Sequence, residues 1–193
     1  LRYFKLVYTQ AGEWDEVVDK LKTLLECVTR PQEVYRVAQE LAAIYLYQLD
    51  YPKEAIDVLE RYCVESHLDS STILYDAYQR LEDWRGCLKV LRECLLNVDG
   101  DNPRSILHYK IAQLHDHLEE SDDALTNYCQ AFELNPDFLD PAEHIVGILL
   151  DKKEWQKVAT WLDQIRERVF DRELSVQLDQ AKKRLLDGLH HAQ

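Results

Sequence analysis

The chain has 193 residues with only five glycines and five prolines, and 46% of its residues are hydrophobic and 31% charged; this excludes a disordered or collagen-like polymer and describes a globular, helix-prone protein. A net charge of −13 argues against binding a phosphate backbone, which needs clustered Lys and Arg. No apolar run approaches the roughly 20 residues needed to span a bilayer, so membrane insertion is not expected, and the opening residues do not read as a signal peptide.

The absence of methionine, at the first position included, reads as a fragment of a longer chain or a processed product. Charge is uneven: residues 1–150 hold 28 acids and 14 bases, whereas 151–193 hold 8 acids and 9 bases. An acidic body repels nucleic acid and anionic lipid and favours basic partners. Five cysteines (Cys27, Cys63, Cys87, Cys94 and Cys129) form no CxxC pair and are odd in number, which argues against a disulfide framework or a structural zinc. Buried, reduced thiols are expected, in the cytoplasm or another reducing compartment such as the nucleus.

In chain order, the first segment, about 1–34, carries Phe4, Tyr8, Gly12, Trp14, Val17, Leu21 and Leu24 at helical spacing. The second, about 35–67, contains "LAAIYLYQLDYPKEAIDVL", an apolar helix, a polar turn and a second apolar helix. The third, about 68–104, holds Leu74, Tyr75, Tyr78, Trp84, Cys87, Leu91 and Cys94. The fourth, about 105–138, holds Ile111, Ala112, His115, Ala124, Tyr128, Ala131 and Pro136. The fifth, about 139–172, holds Ile145, Leu149, Trp155, Val158, Leu162 and Ile165, and a last helix at 173–190 has the stripe Leu174, Leu178, Ala181, Leu185 and Leu189. "AGEWDEVV", "LEDWRGCL" and "DKKEWQKV" place Trp14, Trp84 and Trp155 in one local context, 70 and 71 residues apart. "LDYPKEAIDVL" and "LEESDDALTNY" fall halfway between them, so the period is about 34–37 residues, that of a helical solenoid.

Numbered from Ser105, the fourth segment has Ile111 and Ala112 at places 7 and 8, His115 at 11, Ala124 at 20, Tyr128 at 24, Ala131 at 27 and Pro136 at 32. This resembles the tetratricopeptide-repeat pattern W-x2-L-G-x2-Y…A-x3-F…P, most closely in "DALTNYCQAFELNP", with His108 and His115 where aromatics are usual. The second segment resembles the family run "LGxxYxxxGDYxEAI" with one extra residue near Tyr51 and Pro52. The resemblance covers about residues 1–172 and implies an all-α fold: a single α-solenoid domain of about five helix-turn-helix repeats, a right-handed superhelix, with the C-terminal helix as a cap. Threes and fours between the apolar places give each helix one stripe, which it buries only against its pair and neighbours. Trp14, Trp84 and Trp155 would each open a second helix and act as spacers in the stack. Asn102 before Pro103 and Asp140 before Pro141 read as helix caps with proline at the first helical position, and Pro31 and Pro136 read as lying between repeats.

Catalytic motifs are missing. Gly12, Gly86, Gly100, Gly147 and Gly188 are isolated, so no GxGxxG or GxxxxGK[ST] loop exists, nor GxSxG or HExxH. In "LHYKIAQLHDHLEE" the histidines His108 and His115 are seven apart, not at the three-or-four spacing of helical metal pairs, and their repeat places call for a packing ring. Cys87 and Cys94 read as core, Lys182, Lys183 and Arg184 as a solvated face, and His190 and His191 as a frayed end. Neither an enzyme nor a cofactor or metal site is expected.

The resemblance implies that the first helices of the pairs line a concave groove. The implied groove residues are Gln39, Ala43, Leu46 and Tyr47 in the second repeat and Thr72, Asp76, Gln79 and Arg80 in the third. They continue with Tyr109, Gln113, Asp116 and His117 in the fourth, and Glu143, Gly147, Leu150 and Asp151 in the fifth. The basic clamp with which some co-chaperones of this family hold acidic tails is replaced here by acids, glutamine and histidine. The expectation is a non-catalytic interaction module or scaffold, an adaptor in complex assembly, that binds an apolar peptide or helix with basic residues. The alternative is a structural subunit that stacks end to end with further repeats or copies of itself.

Overall fold

The computed structural model describes residues 14–63 and 68–168, with positions 176, 179, 180 and 183 beyond them. The expected helix carrying Phe4, Tyr8 and Gly12 lies outside the described residues, and the expected cap at 173–190 lies almost wholly outside them. Among the described residues every regular element is an α-helix. They are α1 (Trp14–Cys27), α2 (Pro31–Tyr47), α3 (Pro52–Tyr62), α4 (Leu68–Arg80), α5 (Trp84–Asn97), α6 (Asp101–His117), α7 (Ser121–Leu134), α8 (Asp140–Asp151) and α9 (Trp155–Arg168). The chain divides into two compact units, Leu1–Leu96 and Asn97–Gln193.

In the first unit each helix buries the stripe its spacing dictates: Val17, Val18, Leu21 and Leu25 on α1, and Ala55, Ile56 and Leu59 on α3. α2 buries a wider face, Val37, Ala38, Leu41, Ala42, Ile44, Tyr45 and Leu46, because it packs on α1, α3 and α4 together. Ala38, Ala42, Ala55 and Ala77 are fully enclosed, and their small side chains let the helix axes approach. The second unit is built the same way. α6 packs on α7, α7 on α8 and α8 on α9, around Ala112, Ala124, Tyr128, Phe132, Ile145, Leu149 and Val158. Buried Ser105 satisfies its hydroxyl by donating to the Ala131 carbonyl at 2.7 Å.

The turn inside each pair repeats one backbone device. Glu82, Glu119 and Lys153, where the family run carries glycine, take positive φ of 54°, 58° and 58°, and Asp50, one place later in its run, takes 57°. The N–H groups of Asp83, Glu120 and Glu154 then donate to the carbonyls of Tyr78, His115 and Leu149, five residues back, each at 2.9 Å. Such bonds satisfy carbonyls that a helix C-terminus leaves open. In the α2–α3 turn the same bond runs from Tyr51 to Tyr45 at 2.8 Å, six residues back, so the extra residue near Tyr51 and Pro52 is absorbed in that turn. Trp84 and Trp155 are the first residues of α5 and α9, as expected for residues opening second helices, whereas the residues before Trp14 lie outside the described ones.

Three local expectations are corrected. Asn102 and Asp140 do not cap: α6 starts at Asp101 with Gly100 in the cap position at φ 93°, α8 starts at Asp140 after Leu139, and neither cap residue makes a side-chain hydrogen bond. Pro31 opens α2 instead of lying between helices, since its missing N–H costs nothing in a first turn. The cysteines are free, but Cys27 is exposed, at the last residue of α1.

Burial pushes the thiols of Cys63, Cys87 and Cys129 up to about 11, leaving only about one in a thousand as the reactive thiolate at pH 8. Brief iodoacetamide treatment of the native protein at that pH should therefore modify Cys27 well before these three, read by peptide mass spectrometry. Equal labelling of Cys27 and Cys87 would contradict this packing.

Candidate protein-binding site

α2 and α4 present the first group of groove residues in the first unit. Three of them come together: the Tyr47 hydroxyl donates to Asp76 Oδ2 at 2.5 Å, and the Arg80 guanidinium lies 5.7 Å from the centre of the Tyr47 ring. Arg80 Nη1 also donates to Asp50 Oδ1 at 2.6 Å and to the Leu46 carbonyl at 2.8 Å. Burial first, then the hydrogen bond to Asp76, pushes the Tyr47 phenol up to about 12, although the side chain stays well exposed. Gln39 is half-buried and donates to the Tyr35 hydroxyl at 2.8 Å, Ala43 packs against the core, and Thr72 and Gln79 are exposed. Leu46 is not a groove residue. Its side chain is fully enclosed in the core of this unit, because α2 buries a face wider than one stripe.

In the second unit the site residues come from α6 and α8. Tyr109 lies edge-on to Phe138, with ring centres 4.9 Å apart, and to His144 at 5.7 Å. Its hydroxyl is 3.3 Å from His144 Nε2, and Gln113 also reaches the phenol. The His144 ring stacks on buried Tyr128 at 4.6 Å and 7°. Tyr128 in turn donates to Asp116 Oδ2 at 2.6 Å. Burial first, then the charges of Asp140, Glu143 and Asp116, push the Tyr109 phenol up. Glu143, Gly147, Leu150 and Asp151 are exposed along α8, and His117 is exposed at the end of α6. Sequence reasoning missed His144, which follows Glu143 directly, and Phe138; it placed Tyr128 only as a packing residue.

The histidines expected to pack do so. His108 is buried with Nδ1 3.1 Å from Asn127 Oδ1, and His115 is buried with Nδ1 2.7 Å from Glu120 Oε2. His115, Glu120 and Asp123 bring ligand atoms within 4.8 Å of one another, the one such group among the described residues. Glu120 and Asp123 flank the start of α7, where their charges meet the positive end of the helix dipole and a cation is disfavoured. The trio therefore reads as a helix-start contact.

Helix pairs repeated in sequence, with a positive-φ residue in each of the four described turns, define the tetratricopeptide-repeat fold. A scan of protein-family models matches none to this chain, and a search of curated proteins finds no match. Solved structures do match. "Crystal structure of MamA" aligns with a TM-score of 0.55 at 15% identity, covering 92% of this chain and 95% of that one. A second form, "MamA AMB-1 P212121", gives 0.55 at 18% identity over 91% and 94%. YrrB, described as a TPR protein with an unusual peptide-binding site, gives 0.54 at 16% identity over 92% and 89%. At such identity the likeness establishes the fold.

Proposed function

We propose that this chain is a non-catalytic protein-interaction module, a scaffold or adaptor in complex assembly, that binds a peptide or helical segment of a partner protein. The candidate face in the first unit is that of α2 and α4, and in the second unit that of α6 and α8, each taken by itself. The observation that carries the reading is the solvent-facing group of aromatic and acidic side chains on α6 and α8, centred on Tyr109 and His144. Rings supply stacking area at low entropy cost, and unpaired acids choose basic residues. The peptide-binding site named for YrrB, a protein of this fold, supports the same use here. A net charge of −13 argues against a nucleic-acid partner, and no described helix is long and apolar enough to cross a membrane. Five free cysteines suit a reducing compartment such as the cytoplasm. We read the chain as one run of five repeats with boundaries near 34, 67, 104, 138 and 172, needing no cofactor.

Selection of a displayed random-peptide library on the chain tests this. Recovered peptides should combine apolar and basic residues, and a variant carrying Tyr47→Ala, Asp76→Lys and Tyr109→Ala should lose at least ten-fold in affinity for them with an unchanged circular dichroism spectrum. Peptides that bind wild type and variant equally would overturn the use of these faces.

A further inference from the structure

Some acids elsewhere among the described residues have cationic neighbours. Glu60 pairs with Lys89, Asp50 with Arg80, Asp122 with Lys152 and Glu154 with Lys157. Around Tyr109, Asp116, Asp140 and Glu143 all act on its phenol, and among the described residues no lysine or arginine forms an ion pair with any of them. The His144 imidazole, 3.9 Å from Asp116, offers a charge when protonated. Tyr128 uses Oδ2 of Asp116, and Oδ1 has no hydrogen bond among the described residues.

The rings complete the arrangement. Tyr128 covers one face of the His144 imidazole, and with 42% of the His144 side chain exposed the opposite face is the one solvent reaches. Tyr109 stands edge to face beside it and Phe138 edge to face beside Tyr109, both half-buried. A flat, weakly hydrated cation fits such a surface: it stacks on the rings while its N–H groups fork to carboxylates. An ammonium group cannot stack, and a hard metal ion would want oxygens where rings stand.

We propose that this patch is the seat of an arginine side chain of the protein partner. The guanidinium lies flat on the open face of His144 and donates to Asp116 and Glu143. The proposal rests on the reading of the chain as a peptide-binding module and names the residue that the second unit selects.

The test is an NMR titration of the full chain with N-acetyl-arginine N-methylamide, in parallel with the citrulline analogue, which has the same shape without the charge, and with the lysine analogue. The arginine derivative should give saturable shifts at Tyr109, Asp116 and His144, the lysine analogue several-fold weaker binding and citrulline none. Asp140→Asn/Glu143→Gln, which alters no hydrogen bond described above, should weaken arginine binding at least five-fold with an unchanged melting temperature. No saturable shift, or equal shifts with citrulline, overturns the seat. The two proposals fail separately: library peptides captured without any preference for arginine sink the seat alone, whereas arginine binding without peptide capture sinks the module and leaves the seat.

Discussion

Replacing Gly86 by alanine should destabilise the first unit by about 2–3 kcal/mol, the scale of overpacking a closed core. Gly86 faces the ring of Tyr78 so closely that an added Cβ would sit 2.3 Å from Cδ1, 2.5 Å from Cγ and 2.6 Å from Cε1. Real carbon atoms do not approach to that distance, so the ring or the helix has to move. Tyr78 is poorly placed to retreat. Its hydroxyl donates to Glu60 Oε1 at 2.9 Å, and Lys89 holds the same oxygen at 3.1 Å. The Lys89 bond, then that of Tyr78, holds the Glu60 carboxyl below its usual range, so pulling the phenol away also breaks a charge-assisted contact. Urea unfolding should give a clearly lower midpoint for Gly86→Ala. In Gly86→Ala/Tyr78→Leu the alanine should cost much less, because the ring it strikes is gone, and the coupling should exceed about 1 kcal/mol. An unchanged midpoint for the single variant would show that the approach of α4 and α5 at this point is wrong.

Gly86 also marks where sequence reading stops. As one isolated glycine in a helical pattern it signals only a cost of about 1 kcal/mol against alanine; its reason lies in a ring eight residues earlier, on another helix. What recurs can be read, because each repeat must meet the same packing condition. Trp84 and Trp155 open their helices for that reason, and one surplus residue near Tyr51 shows up as a hydrogen bond spanning six residues instead of five. What is particular to one repeat cannot be read this way. Leu46 holds a groove place by counting, but α2 meets three other helices and draws it inside. Asn102 has a capping side chain, but Gly100 turns the chain earlier at φ 93°. On the binding face, Tyr47, Asp76 and Arg80 do come together, but they satisfy one another and Asp50. Around His144, by contrast, Asp116, Asp140 and Glu143 bear on Tyr109 without a lysine or arginine partner among the described residues, and the only sequence signal of His144 was its place beside Glu143.

Tyr128→Ala should be the costlier change, about 3–5 kcal/mol, as for other large aromatics removed from a core. Tyr128 is fully buried on α7, with its ring against Tyr109 at 5.7 Å and stacked on His144 at 4.6 Å. Alanine leaves a cavity bounded by helices fixed elsewhere by Phe132, Ile145 and Leu149, so little of it can collapse. Tyr128→Phe separates packing from hydrogen bonding. It keeps the ring and removes only the donor to Asp116, a carboxylate whose side chain is 37% exposed and can turn to water; its cost should be about 1 kcal/mol. Packing therefore dominates, and the urea midpoints should fall in the order wild type, Tyr128→Phe, Tyr128→Ala, with the larger step last. The same pair bears on binding. Phenylalanine still supports the imidazole from below and releases Asp116 Oδ2, so arginine binding should persist or strengthen in Tyr128→Phe, whereas in Tyr128→Ala the ring that orients His144 is gone and binding should be lost. If phenylalanine costs as much as alanine, the hydroxyl carries the stability and the aromatic stack beneath the proposed seat is not what holds it in shape.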